Sequence, residues 1–135
     1  MAKLYSTAKL VKDLRIDVDN GRNHAFCLDQ PKPDGTDMGP TALELVVMGY
    51  AGCYASIAAL TAKKMRIALT DLEVKTEAIK SPEVHTIVSA QTEVTIKSNA
   101  PKDRLQRLHD VTVKDCPVGL LFEKAGVKLE YKLNI

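Results

Sequence analysis

The chain has 135 residues, 45% of them hydrophobic, with 19 basic and 17 acidic side chains and a formal net charge of +2. That length suits a single domain spanning residues 1–135, with a real core that is small enough to gain from a second subunit. The two charge signs are intermixed, so no field for nucleic acid or an anionic membrane is present, and four tyrosines and two phenylalanines are too few for a nucleotide-stacking surface.

The N-terminal MAKLYSTAKLVKDLR is charged throughout and lacks the apolar stretch of a secretory signal, which places the expected location in the cytoplasm. LYSTAKLV and LRIDVD then alternate as strands. Asn20-Gly21 predicts a tight type I′ hairpin into a third strand, HAFCLD. QPKPDGTDMGP reads as a loop, with Pro40 in the first turn of a helix that runs to about Met65. Leu45 to Ala62 carries no charge, close to the roughly 18 residues that raise the question of a membrane span. Gly49, Gly52, Ser56 and Thr61 dilute the run, and its alanines suit close packing, so it is expected to be a helix buried on nearly all sides.

Lys63, Lys64 and Arg66 complement the helix C-terminus. DLEVKTEAIK predicts a strand with Leu72, Val74, Thr76 and Ala78 on one face, and VHTIVSAQTEVTIK a second beyond the Ser81-Pro82 break. Pro101 opens an amphipathic helix with Leu105, Leu108 and Thr112 inward and His109 on the solvated face. Pro117 opens a shorter helix that Gly126 closes, and VKLEYKLNI is the closing strand. The order βββα-ββ-αα-β implies an α+β fold with a mostly antiparallel sheet around a long central helix. So apolar a helix also implies a second copy to cover it, and hence a homodimer.

Three cysteines without a secretory signal argue for free thiols. Asp115-Cys116-Pro117 puts Cys116 at a helix N-cap, where unpaired N–H groups are expected to lower its pKa, with Asp115 opposing. Cys53 lies mid-helix in GYAGCYAS, an ordinary buried thiol unless a cation reaches it. Cys27 reads as strand filler. His24, His85 and His109 have no metal-ligand spacing, so neither a metal nor a cofactor is expected.

GTDMGPTALELVVMGYAGC followed by CPVG at a helix start resembles the OsmC/Ohr family of osmotically inducible and organic hydroperoxide resistance proteins, over essentially the whole chain. Ala42 stands where that pattern often has proline or methionine. The resemblance implies an intertwined homodimer and a two-cysteine peroxidase. Cys53 would be the attacking thiol and Cys116 the resolving one. The substrate would be an organic hydroperoxide, or hydrogen peroxide, and an external dithiol such as a lipoylated protein would be the reductant. This reverses the role that the cap argument alone favours for Cys116. The resemblance also implies an arginine that activates Cys53 and a glutamate that holds the arginine. Arg15 and Arg22 are the candidates for the first, and Glu44 for the second. At about 100° per residue Glu44 falls on the helix face opposite Cys53, and the family's glutamate position is Leu43 here, so Glu44 is equally a helix-end residue. A different class of reading is a non-enzymatic dimeric module that binds a small apolar ligand at the subunit interface, in a cleft lined by Met48, Tyr50 and Tyr54.

Overall fold

Alternating apolar residues, interrupted at Asp13 and again at Asn20, fold the start of the chain into a meander. A computed structural model describes residues 1–135 and divides into two compact units, residues 1–46 and 47–135. In the first unit β1 (Thr7–Lys12), β2 (Arg15–Asp19) and β3 (Ala25–Leu28) form an antiparallel sheet in that order. The first turn needs only two residues, with Asp13 in the left-handed region at φ 52°, a conformation that aspartate tolerates better than most side chains. The second turn is longer than the expected two-residue hairpin and occupies residues 20–24. Its cause is local: Asp19 accepts from the Gly21 N–H at 2.8 Å and Asn20 from the Arg22 N–H at 2.9 Å. These side chains turn the backbone early and leave Gly21 and Asn23, rather than Asn20, at positive φ.

The loop beyond β3 is organised by one buried carboxylate. Asp29 accepts the Thr36 hydroxyl at 2.5 Å and the N–H groups of Gln30, Thr36 and Met38 at 2.8, 3.2 and 3.2 Å. The Thr36 hydroxyl leads these bonds in holding its pKa down to about 2, against the opposing effect of burial. A side chain at Gly39 would collide with the Cys27 carbonyl, and one at Gly35 with the Gln30 carbonyl, so the chain can cross back over itself only with glycine there.

The loop ends at Thr41, which with Glu44 closes a reciprocal capping box. The Thr41 N–H donates to Glu44 Oε2 at 2.8 Å and the Glu44 N–H donates to Thr41 Oγ1 at 3.2 Å. The helix α1 accordingly spans Ala42–Lys64, and Pro40 lies before the cap rather than in the first turn. Thr41→Ala is expected to cost about 1 kcal/mol in denaturant-induced unfolding.

The second unit holds most of α1, then β4 (Asp71–Lys80), β5 (Ile87–Lys97), α2 (Lys102–Asp115), α3 (Pro117–Lys124) and β6 (Lys128–Asn134). β4 and β5 are antiparallel, while β6 returns through the two helices to lie parallel to β5. Sheet order is β4-β5-β6. Leu72, Val74, Thr76 and Ala78 are the half-buried side of β4, as the alternation predicts. The core joins Tyr54, Ala58 and Ala62 of α1 to Val94 and Ile96 of β5 and to Leu105 and Leu108 of α2.

Only one side of α1 is buried within this chain. Tyr50, Tyr54, Ala58, Thr61 and Ala62 are inside, whereas Val46, Met48 and Leu60 are 44%, 51% and 56% exposed. The expectation of burial on nearly all sides therefore fails for the single chain, because one subunit packs its own elements against one face only. The helix is long and apolar enough to cross a membrane by length and composition, yet its buried side is polar enough to need partners: the Tyr50 and Tyr54 hydroxyls both find them inside the core.

Candidate active site

Cys53 and Cys116 reach the same place from different elements. Cys53 stands in the middle of α1, half-buried, and packs against the core cluster that contains Cys116. Cys116 is fully buried between α2 and α3, as the C-cap of the first and the N-cap of the second. Both thiols are free, and Cys53 lies close enough to help raise the Cys116 pKa.

The N-cap geometry expected for Cys116 is present: the Gly119 N–H donates to Cys116 Sγ at 3.4 Å. Its expected consequence is overturned. Burial pushes the thiol up to about 11, and neighbouring Cys53 adds to the rise, so the bonds from Gly119 and Val118 that would favour a thiolate lose. One or two weak N–H···S bonds do not replace the hydration that a thiolate gives up in an apolar core. Burial therefore favours the protonated Cys116 thiol at neutral pH.

Around the thiols lies a cluster that sequence reasoning missed in part. His109, expected on a solvated face, is only 9% exposed. The Tyr54 hydroxyl and His109 Nδ1 share a hydrogen bond of 2.5 Å, and the Tyr50 and Tyr131 hydroxyls share one of 2.7 Å. The His109 ring stands edge-on to Tyr131 at 5.4 Å, and Tyr50 stacks on Phe122 at 4.8 Å. The signal was available in the i, i+4 spacing of Leu105 and His109, which places the imidazole on the buried stripe of α2.

Burial lowers the His109 pKa from 6.5, outweighing the opposite pull of Asp110. The folded state therefore takes up its proton at lower pH than the unfolded chain does, and the stability that this difference supports is lost as pH falls below about 6.5. Thermal unfolding between pH 7 and 5 should show this decline, and His109→Asn should flatten it.

The other predicted site residues lie in the first unit. Arg15 opens β2 and is half-buried, with its Nε buried and without a hydrogen-bond partner. Arg22 is exposed in the turn after β2. Glu44 is exposed, and its carboxylate is taken by the Thr41 N–H in the capping box. Cys27, half-buried in β3, points its thiol toward the Leu28 carbonyl at 3.8 Å.

Residues 35–132, which include Cys53 and Cys116, match the family model described as OsmC-like protein. The chain belongs to the OsmC-like family. Its fold is similar to that of an OsmC-like protein from Mycoplasma pneumoniae, with a TM-score of 0.89 at 20% identity over 98% of this chain and 96% of that one. An organic hydroperoxide resistance protein OsmC from Legionella pneumophila is similar with a TM-score of 0.76 at 16% identity over 100% and 98% of the two chains. The organic hydroperoxide resistance protein OhrB of Bacillus subtilis is similar with a TM-score of 0.67 at 18% identity, covering 98% of each. No curated protein sequence is significantly similar to the chain. The α+β architecture and the expected element order are thus those of the family. Within the chain Tyr50 and Tyr54 are fully buried and Met48 is half exposed.

Proposed function

We propose that this OsmC-like protein is a thiol peroxidase that reduces organic hydroperoxides, and hydrogen peroxide, through Cys53 and Cys116. The observation that carries the reading is the meeting of two free thiols of unlike environment: a half-buried Cys53 that solvent can reach, and a buried Cys116 held protonated beside it. The Cys53 sulfur attacks the O–O bond, becoming a sulfenic acid and releasing the alcohol. The Cys116 sulfur then displaces the sulfenic hydroxyl, which leaves as water with the Cys116 proton, and a Cys53–Cys116 disulfide forms. An external dithiol, of the lipoyl type that the family resemblance suggests, restores both thiols. Arg15 is the candidate for activating Cys53, with Arg22 the competitor, on the family resemblance alone. Glu44, whose Oε2 accepts from the Thr41 N–H at the helix cap, is the residue that the same resemblance suggests for holding that arginine.

The working unit is a homodimer in the cytoplasm. Its support is the uncovered side of α1, where Gly49, Gly52, Ser56 and Ala59 form a strip of small residues, and a side chain at Gly49 or Gly52 would meet nothing. A second backbone can approach closely there.

Titration of the reduced protein with cumene hydroperoxide and hydrogen peroxide, followed by non-reducing peptide mass spectrometry, tests the cycle. One Cys53–Cys116 disulfide per subunit, formed faster with the organic peroxide, is the expected result. Thiols that stay reduced, or Cys53 that passes to sulfinic acid with Cys116 untouched, would sink it.

A further inference from the structure

Tyr50 and Tyr54 stand one turn apart on α1, on either side of Cys53, and each grips a different helix. Tyr54 is bonded to His109 of α2, and Tyr50 is stacked on Phe122 of α3. Cys116 is the single residue joining those two helices. The helix that carries Cys53 therefore holds both elements that meet at Cys116. Tyr131 of β6 closes the cluster from the sheet, through its bond to Tyr50 and its edge contact with His109.

Such a cluster is a costly way to fill a core. Hydroxyl and imidazole groups gain little net stability even when paired, and an apolar core of the same shape would pack as well. What a directional bond adds over apolar contact is a fixed register between two helices. We propose that the Tyr54–His109 hydrogen bond is a positioning device that sets the Cys116 sulfur against Cys53, so that the two form a disulfide without rearrangement of α2 or α3. This rests on the reading of Cys53 and Cys116 as a reacting pair and extends it to residues that touch neither the peroxide nor the reductant.

The equilibrium with glutathione reads this directly and needs no peroxide. The Cys53–Cys116 dithiol and one oxidised glutathione exchange for the protein disulfide and two reduced glutathiones, and the equilibrium constant is the effective concentration of one thiol at the other. Because it compares two folded states, a general loss of core stability leaves it unchanged. Tyr54→Phe keeps the ring and removes the bond, and is expected to lower the effective concentration about tenfold. His109→Leu should do the same, while His109→Asn, which restores a polar group near the Nδ1 position, should stay within about threefold of the unaltered protein. The double variant Tyr54→Phe/His109→Leu should be no worse than either single one.

An effective concentration within twofold of the unaltered protein in Tyr54→Phe, or additive losses in the double variant, would overturn the proposal. If Tyr54→Phe does not fold, His109→Asn and His109→Leu decide, and equal values for them overturn it. An unaltered protein that ignores peroxide but equilibrates normally with glutathione would refute the peroxidase reading alone. One that forms no Cys53–Cys116 disulfide with glutathione would remove the positioning role as well.

Discussion

Cys53→Ser is expected to reduce hydroperoxide turnover to the rate of the uncatalysed mixture, whereas Cys116→Ser should consume one equivalent of peroxide per subunit and then stop. The asymmetry follows from the environments of the two sulfurs. Cys53 is the less buried of the two, and a serine hydroxyl has neither the acidity nor the polarisability to attack an O–O bond. Cys116 is sealed from solvent and held protonated by burial, so its loss leaves the first oxidation intact and removes the step that converts the sulfenic acid to a disulfide. A coupled assay with a small dithiol reads the turnover lost in Cys53→Ser, and peroxide consumption without added dithiol, followed by mass spectrometry of the arrested protein, reads the single equivalent taken by Cys116→Ser. Equal loss of the first oxidation in both variants would contradict the assignment of roles.

Tyr50→Ala is expected to be among the most destabilising single changes in the second unit, costing about 3–5 kcal/mol. Tyr50 is fully buried, stacks on Phe122 and shares its hydroxyl bond with Tyr131. Its truncation leaves a ring-sized cavity and strands the Tyr131 hydroxyl in the core at the same time. Tyr50→Phe removes only the bond and should cost roughly 1–2 kcal/mol. Denaturant unfolding of the two variants checks the difference. A Tyr50→Ala effect no larger than that of Tyr50→Phe would mean that the core relaxes around the gap.

The positions of elements were readable wherever the signal was local. Pro101 and Pro117 sit immediately before and at the start of helices, Gly126 takes a positive φ of 80° after α3, and β4 covers residues 71–80 as its alternation predicts. The reciprocal bonds of Thr41 and Glu44 also follow from a three-residue spacing. The second hairpin departs from the Asn-Gly expectation because two competing local bonds, at Asp19 and Asn20, turn the backbone early. His109 departs from its expected solvated face because its position on the apolar stripe of α2, four residues after Leu105, outweighs its polar type.

By itself the sequence determined the α+β element order, the family and the two cysteines most worth testing, because turn residues, periodicity and motifs act over a few neighbouring positions. Tertiary structure decided the character of the site. The N-cap bond that should acidify Cys116 is a local interaction, but the burial that raises its pKa comes from α1 and the elements packed around it. The same is true of α1, whose composition is apolar throughout, while only folding distinguishes the side bearing Tyr50 and Tyr54 from the side bearing Gly49 and Gly52. Desolvation is a sum over groups distant in the chain, and no pattern of adjacent residues contains it.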